Sequence, residues 1–480
     1  MGALVLLVPA LAAAQQLPTI APRLRVQPDG SVRLPSGEPF VGKGVNWGKR
    51  LAPTGPSGEG GLYNASDPQI QLRLFPESNL VRLVLDYYSG GVCYTDIFDA
   101  SRASQGYIAE RWLEEMDGAV AWTAEAGLWI SITLRNNLGT VSPHGDSTDD
   151  VPCDADYIGN ATAREYWHTT WRFIAQRYAS ASNIAWYELA SEPHLLHKVP
   201  PPSGTGKWTA CHGGNASLVT ALFQEAVENL RSVDQSTPIA VAPQGYEHCP
   251  GLGAADVLND PSGQLVYAMN WPCSLKTRDA DVSYGGSASC SDFARASPDL
   301  PCIPACSGKA DATFDYDREL IRAFLAPFLA FGKEHNKPLW IDQLMCPPKQ
   351  WPPGVAESWL RDSMELADFS RTHFTWWTWK GDFADAQSQS VLVPALNTSA
   401  ARHDLPGYVV DAAVYGLVRQ AFKDKSAGDG GCERALEEAC GAQKGGVFAC
   451  AECAGANLQA LSAAGCGNDA ISAWCAGVPH

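Results

Sequence analysis

Eight short apolar runs, most of them followed by an amphipathic stretch, limit what this chain can become. The runs span 40–47, 80–86, 128–134, 184–191, 239–243, 265–270, 339–344 and 374–379. Each is apolar nearly throughout, as a strand covered on both faces should be. Helical patterns lie between most of them, at 108–126, 161–179, 217–233, 316–335 and 355–371, and a last one, 409–422, follows the eighth run. Alternation of strand and helix over eight units predicts an α/β fold, a parallel (β/α)8 TIM barrel, over residues 20–425. An open doubly wound sheet is the competing architecture, but it usually has fewer strands, and no Gly-rich nucleotide loop follows the first run.

Composition fits a globular chain with a walled cleft. Of 480 residues, 45% are hydrophobic and 18% charged, which rules out a disordered polymer. The net charge of −17 repels phosphate, so neither nucleic acid nor an anionic membrane surface is an expected partner. Sixteen Trp supply flat faces suited to sugar rings, although most of them are expected to fill the core. The segments after the third, fourth and sixth runs (135–160, 194–215 and 271–315) are long and rich in Pro, Gly and Cys. In such a barrel the loops after the strands build the active site. Long ones make a groove for a polymer, or are decoration. Cys302 and Cys306 are one pair available to staple them.

The ends of the chain read as an address and an appendage. Residues 1–14, MGALVLLVPALAAA, resemble the end of a secretory signal peptide and are too short to span a bilayer. Fifteen Cys and the sequons at Asn64, Asn160, Asn215 and Asn397 agree with an oxidising, secretory route. A Gly-rich linker at 426–431 leads to Cys432, Cys440, Cys450, Cys453, Cys466 and Cys475. Six Cys in so short a stretch predict a small disulfide-rich module over 432–480, since crosslinks must replace a core. Zinc binding through Cys450-x-x-Cys453 is the alternative.

The strongest chemical signal is Trp186-Tyr-Glu-Leu-Ala-Ser-Glu-Pro-His194, which ends the fourth run. A Glu followed by Pro at the C-terminal end of a strand is a rigidly placed carboxyl. The motif resembles the Asn-Glu-Pro of glycoside hydrolase family 5, with Ser191-Glu192-Pro193 standing in its place. Further segments carry the resemblance over most of the chain: Ser36-Gly-Glu-Pro-Phe-Val-Gly-Lys-Gly-Val-Asn-Trp47, Leu80-Val-Arg-Leu-Val84 and Phe374-Thr-Trp-Trp-Thr-Trp-Lys380. The resemblance implies hydrolysis of O-glycosyl bonds in a β-linked glucan or mannan outside the cell, with Glu192 as acid/base. It implies that Arg82 reaches toward the nucleophile and that Trp377, or else Trp379, stacks on a sugar. Ser191, His194, Asn270 and Trp271 are the other expected cleft residues.

Canonical glycosidic cleavage needs two carboxyl groups across one bond. In Lys337-Pro-Leu-Trp-Ile-Asp-Gln-Leu-Met345 the position implied for the nucleophile is held by Gln343, a neutral amide. Three readings follow. The chain hydrolyses with a displaced second carboxylate, it binds glycan without cutting it, or it acts with substrate assistance. Candidates for the displaced carboxylate are Asp342, Glu247 and Asp382. Asp342 is expected to face the helices if strand alternation holds. Glu188 is on the face of Glu192 but roughly 13 Å down the strand at about 3.3 Å per residue. An inverting arrangement, with carboxyls about 6.5–9.5 Å apart, tolerates such a donor.

Without a carboxylate at 343, Glu192 loses a like-charge neighbour that would hold its proton, so an acidic optimum is expected. Arg82 either serves the site or neutralises an internal carboxylate, and Asn46 is expected to be structural. His144 and Cys153 show no metal-ligand spacing, and no cofactor or metal is implied. The expected partner is a polysaccharide or oligosaccharide, met by a monomer.

Overall fold

All eight runs become strands. The computed structural model describes residues 21–47, 63–86, 88–89, 92–93, 99, 101–135, 161–191, 216–242, 256–276, 281–290, 312–380, 390–394, 408–422, 436, 439, 440, 453 and 457. The strands are β1 (Lys43–Trp47), β2 (Leu80–Asp86), β3 (Trp129–Arg135), β4 (Ile184–Ser191), β5 (Ile239–Val241), β6 (Leu265–Pro272), β7 (Leu339–Met345) and β8 (His373–Trp376). Each pairs in parallel with the next, and β8 pairs with β1, so the sheet closes into a barrel. Closure removes the open doubly wound sheet from consideration.

Helices α1 (Asp67–Leu74), α2 (Glu110–Glu125), α3 (Ala161–Arg177), α4 (Ala216–Arg231), α5 (Arg318–Glu334), α6 (Val355–Leu366) and α7 (Ala412–Phe422) accompany the strands. The six expected helical stretches appear as α2–α7. The sixth is shorter than expected because Tyr408–Val410 pairs with Leu392–Pro394 before the helix begins. The fifth stops early because Asp368 turns left-handed at φ +48°, and the Phe369 amide closes back on Met364. Helix α1 carried too few apolar positions to show a period. Its Pro68 in the first turn is the signal that marks it. Among the described residues, no helix is long and apolar enough to cross a membrane.

The outward faces of the strands join the helices in one large apolar core, from Val45 and Ile132 through Tyr187, Ile341 and Leu344 to Trp359 and Phe422. A second, smaller core fills the barrel at the N-terminal ends of the strands. There Leu80, Trp186, Val266, Ala268 and Trp340 point inward, and Leu24, Val26, Val32 and Phe40 close the opening from below. The closing segment is a hairpin, Arg25–Val26 paired with Val32–Arg33, and Gln264 fastens it by bonding both the N–H and the C=O of Val26 (2.9 and 3.1 Å). With this end plugged, the opposite end is left for chemistry.

At the end of β7, Cys346 forms a disulfide with Cys273, which follows β6. The bridge closes a loop with a sequence separation of 73 residues, worth about 4 kcal/mol in the chain-entropy account. In the tail, Cys440 is bonded to Cys453. That bond takes one of the two sulfurs on which the Cys450-x-x-Cys453 zinc alternative depended. Cys302 and Cys306 lie outside the described residues.

His373 sits in the lower core, packed beside Phe40 and Trp186, with Nδ1 accepting from the Gly42 amide at 2.8 Å. Burial holds its pKa down, at about 3. A base with a depressed folded pKa stays neutral in the fold while the unfolded chain takes up a proton below about 6.5. Its contribution is therefore complete above that value and is lost as pH falls toward 3. Relative to His373→Asn, which keeps an acceptor but does not titrate, the native protein should lose roughly 2 kcal/mol between pH 7.5 and 5 in urea unfolding. A gap between the two proteins that stays constant over that range contradicts the assignment.

Candidate active site

The middle of the barrel contains a charge that strand β2 cannot avoid. Arg82 is wholly buried between Val81 and Leu83, and its side chain points inward. A buried guanidinium must be neutralised and its N–H groups used. Strand β4 supplies Glu188, which takes Arg82 in a two-pronged pair, Nε to Oε2 and Nη2 to Oε1, each at 2.7 Å. Thr133 Oγ1 on β3 donates to the same carboxylate at 2.7 Å. Asn46 on β1 accepts from Arg82 Nη1 at 2.9 Å, while its own Nδ2 donates to the carbonyls of Asp342 and Thr375. The guanidinium also lies 5.4 Å from the centre of the Trp340 ring.

Arg82 has a second anion. Its Nη2 lies 3.0 Å from Asp342 Oδ2 on β7. This corrects the expectation that Asp342 faces the helices. That expectation assumed an unbroken ladder, and β7 is not one. Its pairing with β6 shifts register between Met269 and Asn270, and its pairing with β8 shifts between Ile341 and Leu344. An extra residue in one strand lets two neighbours share a face. Ile341 and Leu344 both pack outward in the large core, so Asp342 and Gln343 both turn inward. Strand β4 does the same between Glu188 and Ser191, with Leu189 and Ala190 outward.

Ser191 and Gln343 meet across the barrel at the C-terminal ends of β4 and β7. Ser191 Oγ accepts from Arg82 Nη2 at 2.7 Å and from Gln343 Nε2 at 3.2 Å. Asn270 pairs in register with Gln343 on the neighbouring strand. Four of the expected site residues, Arg82, Ser191, Asn270 and Gln343, therefore occupy one layer, and Asp342 joins them. All three nitrogens of Arg82 donate to internal oxygens, those of Glu188, Asp342, Ser191 and Asn46 among them.

The tryptophans divide. Trp271 is not in this layer. It is the residue after inward-facing Asn270, so it points outward, where its Nε1 donates to Ser363 on α6 at 2.9 Å and its ring packs on Phe324. Trp379 is 0% exposed and its Nε1 donates to Asp67 at 3.0 Å, beside the buried Lys380–Asp67 ion pair. It ties β8 to α1 and offers no face to a ligand. Trp377, at 8%, is the more exposed of the two residues weighed for stacking. Glu192, His194, Glu247 and Asp382 lie outside the described residues.

Glu188 and Thr133 are the parts of the network that sequence reasoning left unassigned. The signal for Glu188 was present: a lone Arg in one buried strand and a lone Glu in another, of opposite charge.

Residues 67–269 match the cellulase family, glycosyl hydrolase family 5. The match runs from α1 into β6 and includes Arg82, Glu188, Ser191 and Glu192. It ends before β7, so Asp342 and Gln343 fall beyond it. No curated protein matches the sequence. Among solved structures, the chain is similar to the endoglucanase Cel5A of Pseudomonas stutzeri, with 16% identity and a TM-score of 0.48 over 80% of this chain and 94% of that one. It is also similar to endo-glycoceramidase II of Rhodococcus sp., with 16% identity and a TM-score of 0.47 over 71% and 74%. The family 5 resemblance expected from the motifs is present, on a barrel of the expected kind.

Arg82→Met keeps the bulk of the side chain and leaves Glu188 and Asp342 buried together without their cation. The expected cost is about 3–5 kcal/mol in denaturant unfolding. A loss below about 1 kcal/mol contradicts the network.

Proposed function

We propose that this chain is a secreted glycoside hydrolase that cleaves O-glycosyl bonds in a β-linked polysaccharide of the glucan or mannan type, acting as a monomer with Glu192 as proton donor. The observation that carries this reading is the layer of Arg82, Glu188, Ser191, Asp342 and Gln343 at the strand ends of a barrel whose family match includes Glu192. Glu192 follows Ser191 directly in sequence, and Ser191 is held by two hydrogen bonds. A donor there protonates the departing oxygen while a second group manages charge at the anomeric carbon. Trp377 supplies the sugar-stacking face. The leader at 1–14, the sequons and the Cys273–Cys346 bond support a secreted protein, with the cysteine-rich module at 432–480 hung from the 426–431 linker.

The amide of Gln343 favours a second reading, a glycan-binding protein that does not cut. The two readings separate on a panel of β-glucans, mannans and xylans, scored for new reducing ends and for pull-down. The hydrolase reading expects new ends, most abundant on the acidic side of neutrality. It expects Glu192→Gln to lower the rate by about 10²- to 10⁴-fold. Binding without new ends, with activity appearing only in Gln343→Glu, contradicts it.

A further inference from the structure

We propose that Asp67 is a positioning residue for glycan binding: through Trp379 and Lys380 it sets the angle at which Trp377 meets a sugar ring. This rests on the carbohydrate reading above and on the stacking role given there to Trp377.

Strand β8 pairs with β1 without a break and ends at Trp376, whose ring packs outward in the large core. Trp377 is the next residue, so it turns to the inner side of the wall at the open end of the barrel. Among the described residues it belongs to neither apolar core. Past the end of the strand the ladder no longer dictates where a side chain goes. The indole of Trp377 is therefore aimed by whatever holds residues 377–380.

Part of that hold is main chain. The Trp377 N–H donates to the Leu344 carbonyl on β7 at 2.9 Å. The Thr378 hydroxyl and the Trp379 N–H both donate to the Asn46 carbonyl on β1, at 2.8 and 2.9 Å. Any sequence on this barrel offers such carbonyls. The carboxylate of Asp67 is different, because the sequence has to place it there. It opens α1, is 0% exposed, and takes Trp379 Nε1 at 3.0 Å, Lys380 Nζ at 2.7 Å and the Asn64 N–H at 2.7 Å. Tyr408 and Tyr63 flank the ammonium, with ring centres 5.0 and 5.7 Å away, and keep it against the carboxylate.

A buried ion pair brings no gain in stability over apolar packing of the same volume. What it brings is a fixed point. Two consecutive side chains outside the ladder are drawn to one carboxylate on the first helix. Trp377 and Thr378 are then strung between β7 and β1 on one side and α1 on the other. A binding contact has to be held within about 0.5 Å and 10–20° of its productive geometry, and a segment tethered at both ends meets that demand.

The test is a double-mutant cycle on affinity between Trp379→Phe and Trp377→Ala. The ligands are thio-linked tetramers of β-glucose and of β-mannose, which resist cleavage, and binding is read by NMR titration, which reaches millimolar dissociation constants. Trp379→Phe removes the indole N–H and leaves the Lys380–Asp67 pair in place, so its melting temperature should stay close to that of the native protein. It should weaken the better ligand about 5- to 10-fold. In the Trp377→Ala background it should weaken it no further, because the ring it aims is gone. Asp67→Leu combined with Lys380→Met, which replaces the ion pair by apolar side chains, should show the same dependence on Trp377. A merely structural role predicts equal losses in both backgrounds. Equal losses, or undiminished affinity in Trp379→Phe, overturn the inference and leave the carbohydrate reading intact. Native affinity in Trp377→Ala overturns the inference together with the stacking role of Trp377. Binding of neither tetramer by the native protein overturns the carbohydrate reading as well.

Discussion

One guanidinium inside an apolar cylinder has to be answered by anions, and Arg82 is answered from two sides. Glu188 and Asp342 come from β4 and β7, which are not neighbours, and Asn46 reaches in from β1. The contact therefore fixes the depth of three strands relative to β2. A buried ion pair of this kind is no gain in stability over well-packed apolar side chains of the same volume. Its effect is on position: Arg82 holds β4 and β7 in the register that brings Glu188 and Asp342 to it. The two bulges follow from that demand, because a regular ladder cannot bring Glu188 and Ser191, or Asp342 and Gln343, to one face.

The two ends of the barrel are specialised by the same alternation. Below the guanidinium, Trp186, Trp340 and the N-terminal hairpin fill the interior with rings and exclude water. Above it, polar side chains take over at the strand ends, and the Cys273–Cys346 bond clamps the two strands that carry Asn270, Asp342 and Gln343. The β8 end is clamped separately, by Lys380 and Trp379 on Asp67. A site that must hold groups to fractions of an ångström is thus built on strands fastened from both sides.

The barrel was legible because its strands are covered on both faces and therefore stand out as apolar runs. Six helices were legible from their period. What escaped was whatever depends on departures from a regular pattern. Asp342 was misdirected because alternation predicts its face only while the ladder is unbroken, and nothing in Trp-Ile-Asp-Gln-Leu announces a bulge. Trp271 was assigned to the cleft on type and location, although alternation from Asn270 sends it to the helices. Helix α1 is too short to show a period. The partner of Cys273 lies 73 residues away across a gap that spacing cannot bridge. The charges were legible one by one, and their pairing required the fold.

The most direct test of this picture is a double-mutant cycle between Arg82→Met and Glu188→Gln, followed by denaturant unfolding. If the guanidinium is clamped as described, removing Glu188 first makes the loss of Arg82 much less costly, with a coupling of at least about 2 kcal/mol. Two changes that simply add, within about 0.5 kcal/mol, would mean that Arg82 and Glu188 do not hold one another, and the account of the site built on them would fail.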